Sequence, residues 1–167
     1  MLTLFDRLAE ELNVQIGHEF SAHHQYLALA SYFARRNMET LAAFFYDQAE
    51  EEKEHGLKIL KHINYAGGMA MIPAVSAPKN DFASVKEALQ LFVDQEAFVT
   101  QRFLEMSRMA LDEGDFTTFN FLQWFVNEQL EETATAAKLN TWFDEIGEDR
   151  VAQFELLIGE MQEHAGE

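Results

Sequence analysis

The sequence contains no cysteine and only two prolines, and it has few basic residues. A chain without cysteine forms no disulfide, binds no zinc ion or iron–sulfur cluster through thiolates, and has no cysteine nucleophile. Any metal site in it must therefore use oxygen and nitrogen ligands. The lack of cysteine is also typical of proteins from a reducing cytoplasm.

Long apolar runs are missing as well, and no stretch is long enough to cross a bilayer. The N-terminus, Met1 to Arg7, has an early acidic residue and an amphipathic pattern, whereas a signal peptide has a basic flank and an apolar run. Lysine and arginine number 12 against 29 acidic residues, which gives a net charge of −17. Such a charge repels nucleic acid and anionic membranes and attracts cations. We expect a soluble, cytoplasmic protein that binds neither nucleic acid nor membrane.

The hydrophobic periodicity predicts helices throughout a single domain of residues 1–167. Both prolines lie in one segment, residues 67–81, together with a pair of glycines. Outside it run four long helical patterns and a shorter fifth: Leu4–Arg36, Glu39–Ala66, Phe82–Leu111, Asp115–Phe143 and Glu148–His164. The prediction is a bundle over about residues 4–143 and a short C-terminal helix over about residues 148–164.

The lengths of the connections predict how the helices are arranged. Short turns join the first helix to the second and the third to the fourth, so each pair forms an antiparallel hairpin. The 15-residue middle connection can span about 50 Å, whereas a helix of about 28 residues is about 42 Å long. The third helix can thus run parallel to the second, in an all-α, ferritin-like four-helix bundle with one long crossover. The short fifth helix has an apolar side that is surplus to such a core, and we expect it to contact neighbouring subunits.

An acidic residue interrupts the apolar stripe of each long helix near its midpoint. Residues three and four apart share one face of a helix. The four faces are Leu8, Leu12, Gln15, Glu19, Ala22, Tyr26, Ala30 and Phe33; Leu41, Phe45, Gln48, Glu52, His55, Ile59 and Ile63; Val85, Leu89, Phe92, Glu96, Val99, Phe103, Met106 and Ala110; and Phe121, Phe125, Glu128, Glu132, Thr135, Leu139 and Trp142. A midpoint has the same height in a bundle whichever way its helix runs, so the acids should meet.

Carboxylates that meet in a core need a compensating charge, because burying even one uncompensated carboxylate is unfavourable. The stripes contain no lysine or arginine. Two divalent cations balance Glu19, Glu52, Glu96 and Glu132, and His55 lies three residues after Glu52, on the same helix face. A dinuclear metal site follows, and its ligands favour iron or manganese. The alternative is a coincidental alignment of surface acids.

Four segments carry a resemblance to a known family. They are His18-Glu19-Phe20 with Tyr26 two turns later, Glu51-Glu52-x-x-His55, Gln95-Glu96-x-x-Val99-Thr100-Gln101, and Phe121-Leu122-Gln123-Trp124-Phe125-Val126-Asn127-Glu128-Gln129-x-Glu131-Glu132. With these motifs the chain resembles the bacterial non-haem ferritins, of the ferritin-like di-iron carboxylate family, over nearly its whole length.

The resemblance implies which residues hold iron. One iron would be bound by Glu19, Glu52 and His55, and Glu52 would bridge to a second iron. The ligands of the second iron would be Glu96 and Glu132, flanked by Gln129. A third site would use Glu51, Glu128 and Glu131 and share Glu132. The spacing of Glu128, Glu131 and Glu132 places them on one helix face, while a solvated helix surface is the alternative interpretation of Glu51 and Glu131.

Two departures narrow the family. Bacterioferritins and many di-iron oxygenases have a second Glu-x-x-His on the fourth helix, where this sequence has Gln129-x-x-Glu132. A neutral amide is a poor ligand, so we expect the second iron to bind more loosely and to be passed onward. Bacterioferritins also place a haem-ligating methionine directly after the bridging glutamate, and Lys53 stands there. We predict no haem.

The expected function is that of a ferroxidase and iron store. Two Fe(II) ions would be oxidised by O2 or H2O2, and the ferric product would be stored in a homo-oligomeric shell, a 24-mer by resemblance. The first alternative is a ferritin-like di-iron oxidase or peroxidase that acts on another substrate. The second is a helical interaction module whose acids face water.

The role of several aromatic residues stays open. Tyr26 could supply an electron or a hydrogen bond to the site, or it could serve only in packing. Trp124 is predicted to be part of the core. His23 lies one turn beyond Glu19 and could approach the metals. The other histidines outside the motifs are interpreted as surface or packing residues: His18, His24, His62 and His164.

Overall fold

Helices make up most of the chain. The computed structural model describes residues 6–165, and within that range the chain forms five α-helices and no strand. They are α1 (Asp6–Ala34), α2 (Glu39–Tyr65), α3 (Val85–Glu113), α4 (Phe116–Ile146) and α5 (Val151–Ala165), with a 3₁₀ turn, Glu148–Arg150, before α5. None of these helices is long and apolar enough to span a membrane. The all-α prediction is confirmed, although the predicted start at Leu4 lies outside the described residues.

Local hydrogen bonds explain where α3 and α4 begin. Ser84 Oγ accepts a hydrogen bond from the backbone N–H of Glu87 at 3.1 Å, and the Asp115 carboxylate accepts one from Thr118 N–H at 2.9 Å. Such caps satisfy N–H groups that have no partner inside the helix. Between the two helices, Gly114 has a φ of 72°, a left-handed conformation that glycine adopts without strain. These features produce a tight turn between α3 and α4.

The long connection between α2 and α3 runs beside α1. The Asn13 side chain donates a hydrogen bond to the carbonyl of Met69 at 3.0 Å. Farther along α1, Gln25 exchanges two hydrogen bonds with the backbone of Lys79. Because the connection follows α1 from its first half into its second, α3 starts beside the C-terminal half of α1. Helix α1 packs against α2 and α3, and α3 packs against α4, so the predicted crossover bundle is confirmed.

Two apolar clusters fill the bundle, and a polar layer separates them. The first cluster contains buried residues between positions 22–33, 41–49, 82–92 and 136–158, and the second between 8–16, 59–63, 99–110 and 122–125. The gaps in this numbering contain buried polar residues from all four helices, Glu19, Glu52, His55, Glu96, Gln129 and Glu132. The acids of the four helices are therefore buried at the middle of the bundle.

The predicted core face of α4 is partly wrong. Phe121, Glu128, Thr135 and Trp142 are only half-buried. The buried residues of α4 are Thr118, Leu122, Phe125, Gln129, Glu132, Ala136, Leu139, Phe143 and Ile146. Helix α4 has large apolar side chains on two adjoining faces, so periodicity alone does not show which face is buried. As a result, Gln129 points to the core where Glu128 was expected.

Helix α5 covers one end of the bundle, in contact with α2 and α4. Phe154 and Ile158 are fully buried against the bundle, so much of the apolar side that was expected to face other subunits is used within the chain. The Glu155 carboxylate accepts hydrogen bonds from the backbone N–H groups of Thr40 and Leu41, both at 2.8 Å. These contacts satisfy the first turn of α2, which has no side-chain cap of its own.

Candidate metal centre

The polar layer contains a compact group of two carboxylates and one imidazole. Glu19 of α1 and Glu52 and His55 of α2 each offer a ligand atom within 4.8 Å of those of the other two. His55 Nδ1 lies 3.8 Å from Glu19 Oε2 and 3.7 Å from Glu52 Oε2. In the part of the chain that the structure describes, no other three histidine or acidic side chains converge in this way.

Among the described residues, the converging atoms have no hydrogen-bond partner outside their own group. Glu19 Oε2, Glu52 Oε2 and His55 Nδ1 are all buried and unpaired. Buried polar atoms are normally paired, and an unpaired buried carboxylate is strongly unfavourable. A cation between the three atoms would satisfy all of them at once. Two carboxylate oxygens and one imidazole nitrogen suit a first-row divalent metal such as Fe(II).

The second oxygen of Glu19 is already engaged. Gln15 lies one turn earlier on α1 and donates a hydrogen bond from Nε2 to Glu19 Oε1 at 2.7 Å. Gln15 is fully buried, and Arg102 of α3 donates a hydrogen bond to its Oε1 at 3.4 Å. The sequence identifies Gln15 only as a member of the α1 stripe and does not predict its role at the site. Its position offers one indication of that role, because a polar residue in an apolar stripe, four residues before Glu19, lies on the same helix face as that candidate ligand.

The opposite side of the layer is paired differently. Glu96 of α3 is fully buried, and its two oxygens accept hydrogen bonds from the Tyr26 hydroxyl and from Gln129 Nε2 at 3.0 Å. The Gln129 Nε2 also donates to Thr100 Oγ1 at 3.1 Å, while its Oε1 is buried and unpaired. Tyr26 therefore contacts a candidate ligand directly and also packs edge-on against Phe92.

Burial raises the pKa of all four central acids, Glu19, Glu52, Glu96 and Glu132. It raises the pKa of Glu19 well above its usual range, and the neighbouring charge of Glu52 raises it further. Burial likewise raises the pKa of Glu52 and Glu96, although the hydrogen bonds from Tyr26 and Gln129 oppose the shift at Glu96. For Glu132, burial and then the charge of Glu96 raise the pKa to about 9. Glu132 therefore keeps its proton at neutral pH in the metal-free protein, and a bound cation would displace it.

The acids of the expected third site lie outside this buried group. Glu51 and Glu131 are exposed, and Glu128 is half-buried. Glu51 and Glu128 line a surface cleft of about 510 Å³ that extends to His55, and Glu51 and Glu131 line a second cleft of about 410 Å³ together with Glu132. Glu51 is common to both clefts, and its carboxylate accepts a hydrogen bond from Gln48 at 2.8 Å.

Trp124 lies at the edge of the site and is not part of the core. It is 38% exposed, and its ring meets the His55 ring edge-on, with 5.5 Å between the centroids. The ammonium group of Lys58 lies 3.3 Å from the centroid of the Trp124 ring. The prediction that Trp124 belongs to the core is therefore wrong. The face of α4 that packs into the core carries the neighbouring Phe125, which is buried, and Trp124 lies on the adjoining face.

The remaining histidines have other partners. His23 donates from Nδ1 to the carbonyl of Ala49 at 2.5 Å, a bond between α1 and α2. His18 packs edge-on against Phe98, and His62 stacks on Phe121 with 3.8 Å between the ring centroids. His24 is exposed, and the side chain of His164 lies outside the described residues.

The exposure of the four central acids bears on the water-facing alternative. Glu19 and Glu96 are 0% exposed, Glu52 is 1% exposed and Glu132 is 8% exposed. Acids on a solvated interaction surface would be largely exposed. Their burial argues against a plain helical interaction module.

Comparisons with known proteins agree with this geometry. The family of ferritin-like domains, described as "Ferritin-like domain", matches residues 9–146. A bacterial non-heme ferritin of Staphylococcus aureus is 42% identical over 151 residues, which cover 90% of this chain and 91% of that protein. A bacterial non-heme ferritin of Staphylococcus epidermidis is 38% identical over 146 residues, 87% of this chain and 88% of that protein.

Solved structures of ferritins are also similar to this chain. An open pore ferritin from the archaeon Archaeoglobus fulgidus superposes with a TM-score of 0.90 at 34% identity, over 96% of this chain and 97% of that one. A humanized archaeal ferritin gives a TM-score of 0.89 at 32% identity, over 93% and 96%. The chain therefore belongs to the ferritin family, in the group of the bacterial non-haem ferritins.

Proposed function

We propose that this protein is an iron storage ferritin with ferroxidase activity. It oxidises Fe(II) at a dinuclear centre in the middle of the bundle, with O2 or H2O2 as the oxidant. Fe(II) is the substrate and ferric mineral is the stored product. Family membership supports the iron storage role, and the buried acids support the oxidation step.

One observation carries the ferroxidase proposal. Glu19 Oε2, Glu52 Oε2 and His55 Nδ1 are buried and unpaired, and they converge within reach of one cation. A purely structural role for these groups would require hydrogen bonds from other parts of the chain, and the described residues provide none to these three atoms. The first Fe(II) binds here. The hydrogen bond from Gln15 occupies the other oxygen of Glu19, which leaves one oxygen for the metal.

The second Fe(II) binds on the side of Glu96 and Glu132, with Glu52 bridging the two ions and Gln129 beside the second. Each Fe(II) gives up one electron, and O2 takes two electrons and two protons to become H2O2. With H2O2 as the oxidant, the same two electrons and two protons yield two water molecules. The Tyr26 hydroxyl donates a hydrogen bond to Glu96, so Tyr26 lies next to the proposed position of the second Fe(II).

The clefts next to His55 and Glu132 are the proposed location of a third iron site, formed by Glu51, Glu128 and Glu131 with Glu132 shared. The exposure of Glu51 and Glu131 suits a site that exchanges iron with the surroundings. We further propose a cytoplasmic homo-oligomeric shell, a 24-mer, without haem, in which the ferric product collects.

The test is aerobic addition of Fe(II) to metal-free protein, with ferric absorbance and particle size followed together. We expect rapid oxidation of a few Fe(II) ions per chain and then retention of many more in a particle of large mass. The His55→Ala variant should lose the rapid phase and keep its assembly, because it lacks the nitrogen ligand.

The exposed His24 provides the matched control, and His24→Ala should oxidise Fe(II) as the unmodified protein does. Equal rates for the unmodified protein and His55→Ala would contradict the proposed centre. A di-iron enzyme acting on another substrate would retain no mineral.

A further inference from the structure

A chain of hydrogen-bonded side chains leads from the half-buried Arg102 on α3 to the buried candidate ligand Glu19. We propose that Gln15 is a positioning residue for Glu19 and that Arg102 fixes the orientation of the Gln15 amide. The inference rests on the proposed function, since it concerns how Glu19 is prepared to bind metal. It assigns roles to two residues that are not themselves ligands.

The donors and acceptors in this chain can be arranged in one way only. Arginine has donors and no acceptor, so the Gln15 atom that faces Arg102 at 3.4 Å must be the amide oxygen, Oε1. The amide nitrogen of Gln15 then faces Glu19 Oε1, at 2.7 Å. Arg102 is itself held by Glu11, at 2.6 Å. The order Glu11, Arg102, Gln15, Glu19 is thus fixed by chemistry.

The two oxygens of Glu19 therefore have different roles. Oε1 accepts the Gln15 hydrogen bond, and Oε2 is unpaired and faces His55 Nδ1 at 3.8 Å. A carboxylate with one oxygen held in this way presents the other in a defined direction. Gln15 therefore keeps Glu19 as a ligand of one metal through one oxygen. Among residues 6–165 no amide side chain donates to Glu52 in this way, so Glu52 is free to bridge.

Arg102 acts at a distance from the metal. Its guanidinium is paired with Glu11 at 2.6 Å and lies 3.8 Å from Glu105. One side chain, that of Gln15, separates it from Glu19. It also ties α3 to α1, because Gln15 belongs to α1 and Arg102 to α3. Loss of Arg102 would leave the Gln15 amide free to turn and to present its oxygen to Glu19.

The experiment is an anaerobic titration with Co(II), followed by its visible absorption and by calorimetry, with thermal unfolding measured in parallel. Gln15→Met, an apolar side chain of similar length, should weaken the tighter class of Co(II) sites about 10–100-fold, the usual effect of losing a partner of a metal ligand. Gln15→Glu keeps the contact with Arg102 but lacks the amide donor, and it should show a similar loss of Co(II) affinity. It replaces Gln15→Met as the test if that variant does not fold.

A double-mutant cycle tests the role of Arg102. Arg102→Leu should weaken Co(II) binding by less than Gln15→Met, and the double variant should bind as Gln15→Met alone, because Arg102 acts only through Gln15. The matched control is Gln90→Leu, since Gln90 makes the same type of bond to Asp94, four residues later on α3, at 2.9 Å. It should leave Co(II) binding unchanged.

Unchanged Co(II) affinity in both Gln15 variants would overturn the inference, as would additive effects in the cycle or an equal loss in Gln90→Leu. These outcomes are separate from a failure of the proposed centre. If His55→Ala bound Co(II) as tightly as the unmodified protein, the centre itself would be wrong. If His55→Ala lost affinity and the Gln15 variants did not, only the positioning role would fall.

Discussion

The two sides of the polar layer contain similar residues but differ in whether their carboxylate oxygens are hydrogen-bonded. On the His55 side, one oxygen of Glu19, one of Glu52 and the imidazole Nδ1 are buried without a partner. On the Glu96 side, both carboxylate oxygens already accept hydrogen bonds, from Tyr26 and Gln129. A cation satisfies unpaired atoms on the first side, whereas on the second side it must compete with hydrogen bonds.

This difference gives a physical reason for unequal metal binding. The sequence suggested it from the neutral amide of Gln129 alone, and the hydrogen bonds of Glu96 point the same way. The first metal should bind to a site whose ligand atoms already converge, and the second to ligands that must reorganise. The predictions that follow test this contrast between the two sides.

The largest expected effect comes from removing one acid from each side. Glu19→Ala should weaken the binding of the first Fe(II) by more than the ~10–100-fold that the loss of an outer partner causes, because a ligand itself is lost. Glu96→Ala should leave the first Fe(II) bound and abolish the second. Anaerobic calorimetry that counts metal ions per chain measures both.

The exposed Glu54 supplies the control for these two variants. Glu54→Ala should bind both ions as the unmodified protein does. If Glu19→Ala and Glu96→Ala both lost both ions, the two sides would bind metal as one unit and the contrast would not hold.

A second effect concerns pH. Burial raises the pKa of Glu132 from 4.5 to about 9, so the folded metal-free protein keeps a proton that the unfolded chain releases in this interval. The stability associated with this proton is complete below pH 4.5 and is lost as pH rises toward 9. One such carboxyl lowers the free energy of unfolding by about 1.4 kcal/mol per pH unit within the window.

Urea denaturation of the metal-free protein between pH 5 and 9 measures this slope. Glu132→Gln should make the dependence shallower, and Glu54→Gln should not. Saturating Fe(II) without oxygen should reduce or reverse the slope, because the metal binds the deprotonated carboxylates. A slope that Glu132→Gln leaves unchanged would show that this carboxyl does not hold its proton in the folded state.

The smallest effect separates two buried tyrosines. The Tyr26 hydroxyl donates to Glu96, whereas the Tyr32 hydroxyl is buried without a partner. Tyr26→Phe leaves an oxygen of Glu96 unsatisfied and should lower the free energy of unfolding of the metal-free protein by about 1–3 kcal/mol. Tyr32→Phe removes an unpaired hydroxyl and should be neutral or slightly stabilising.

Thermal unfolding of the two variants makes the comparison directly. Tyr26→Phe should also change the binding of the second Fe(II) more than that of the first, since Tyr26 contacts only the Glu96 side. Equal stability of the two variants would show that the Tyr26 hydroxyl does not stabilise Glu96.

The accuracy of the sequence-based prediction differed among the helices. On α1, α2 and α3 a single stripe of apolar residues encloses one acid, and every residue of those stripes is buried. On α4 the aromatic residues occupy adjoining faces, and the prediction placed Phe121 and Glu128 where Leu122 and Gln129 are buried. Periodicity identifies a face only where the neighbouring faces are polar.

The outer parts of the site were less predictable than its ligands. Gln15 lies in a stripe that the sequence defined, but its bonds to Glu19 and Arg102 depend on side-chain positions in two helices. Trp124 belongs to an apolar motif and yet lies beside His55 at the surface. Contacts of this kind depend on the rotation of each helix against its neighbours, which a single helix does not encode.

The helices, the crossover and the height at which the acids lie can be predicted from the chain alone, because they follow from the spacing of residues along one helix and from the lengths of the connections. Helix packing sets which oxygen of each acid is paired and which is unpaired, and it places Gln129 rather than Glu128 in the core. These features arise from contacts between helices. The small distances that distinguish a hydrogen bond from a metal ligand exist only after the helices have packed.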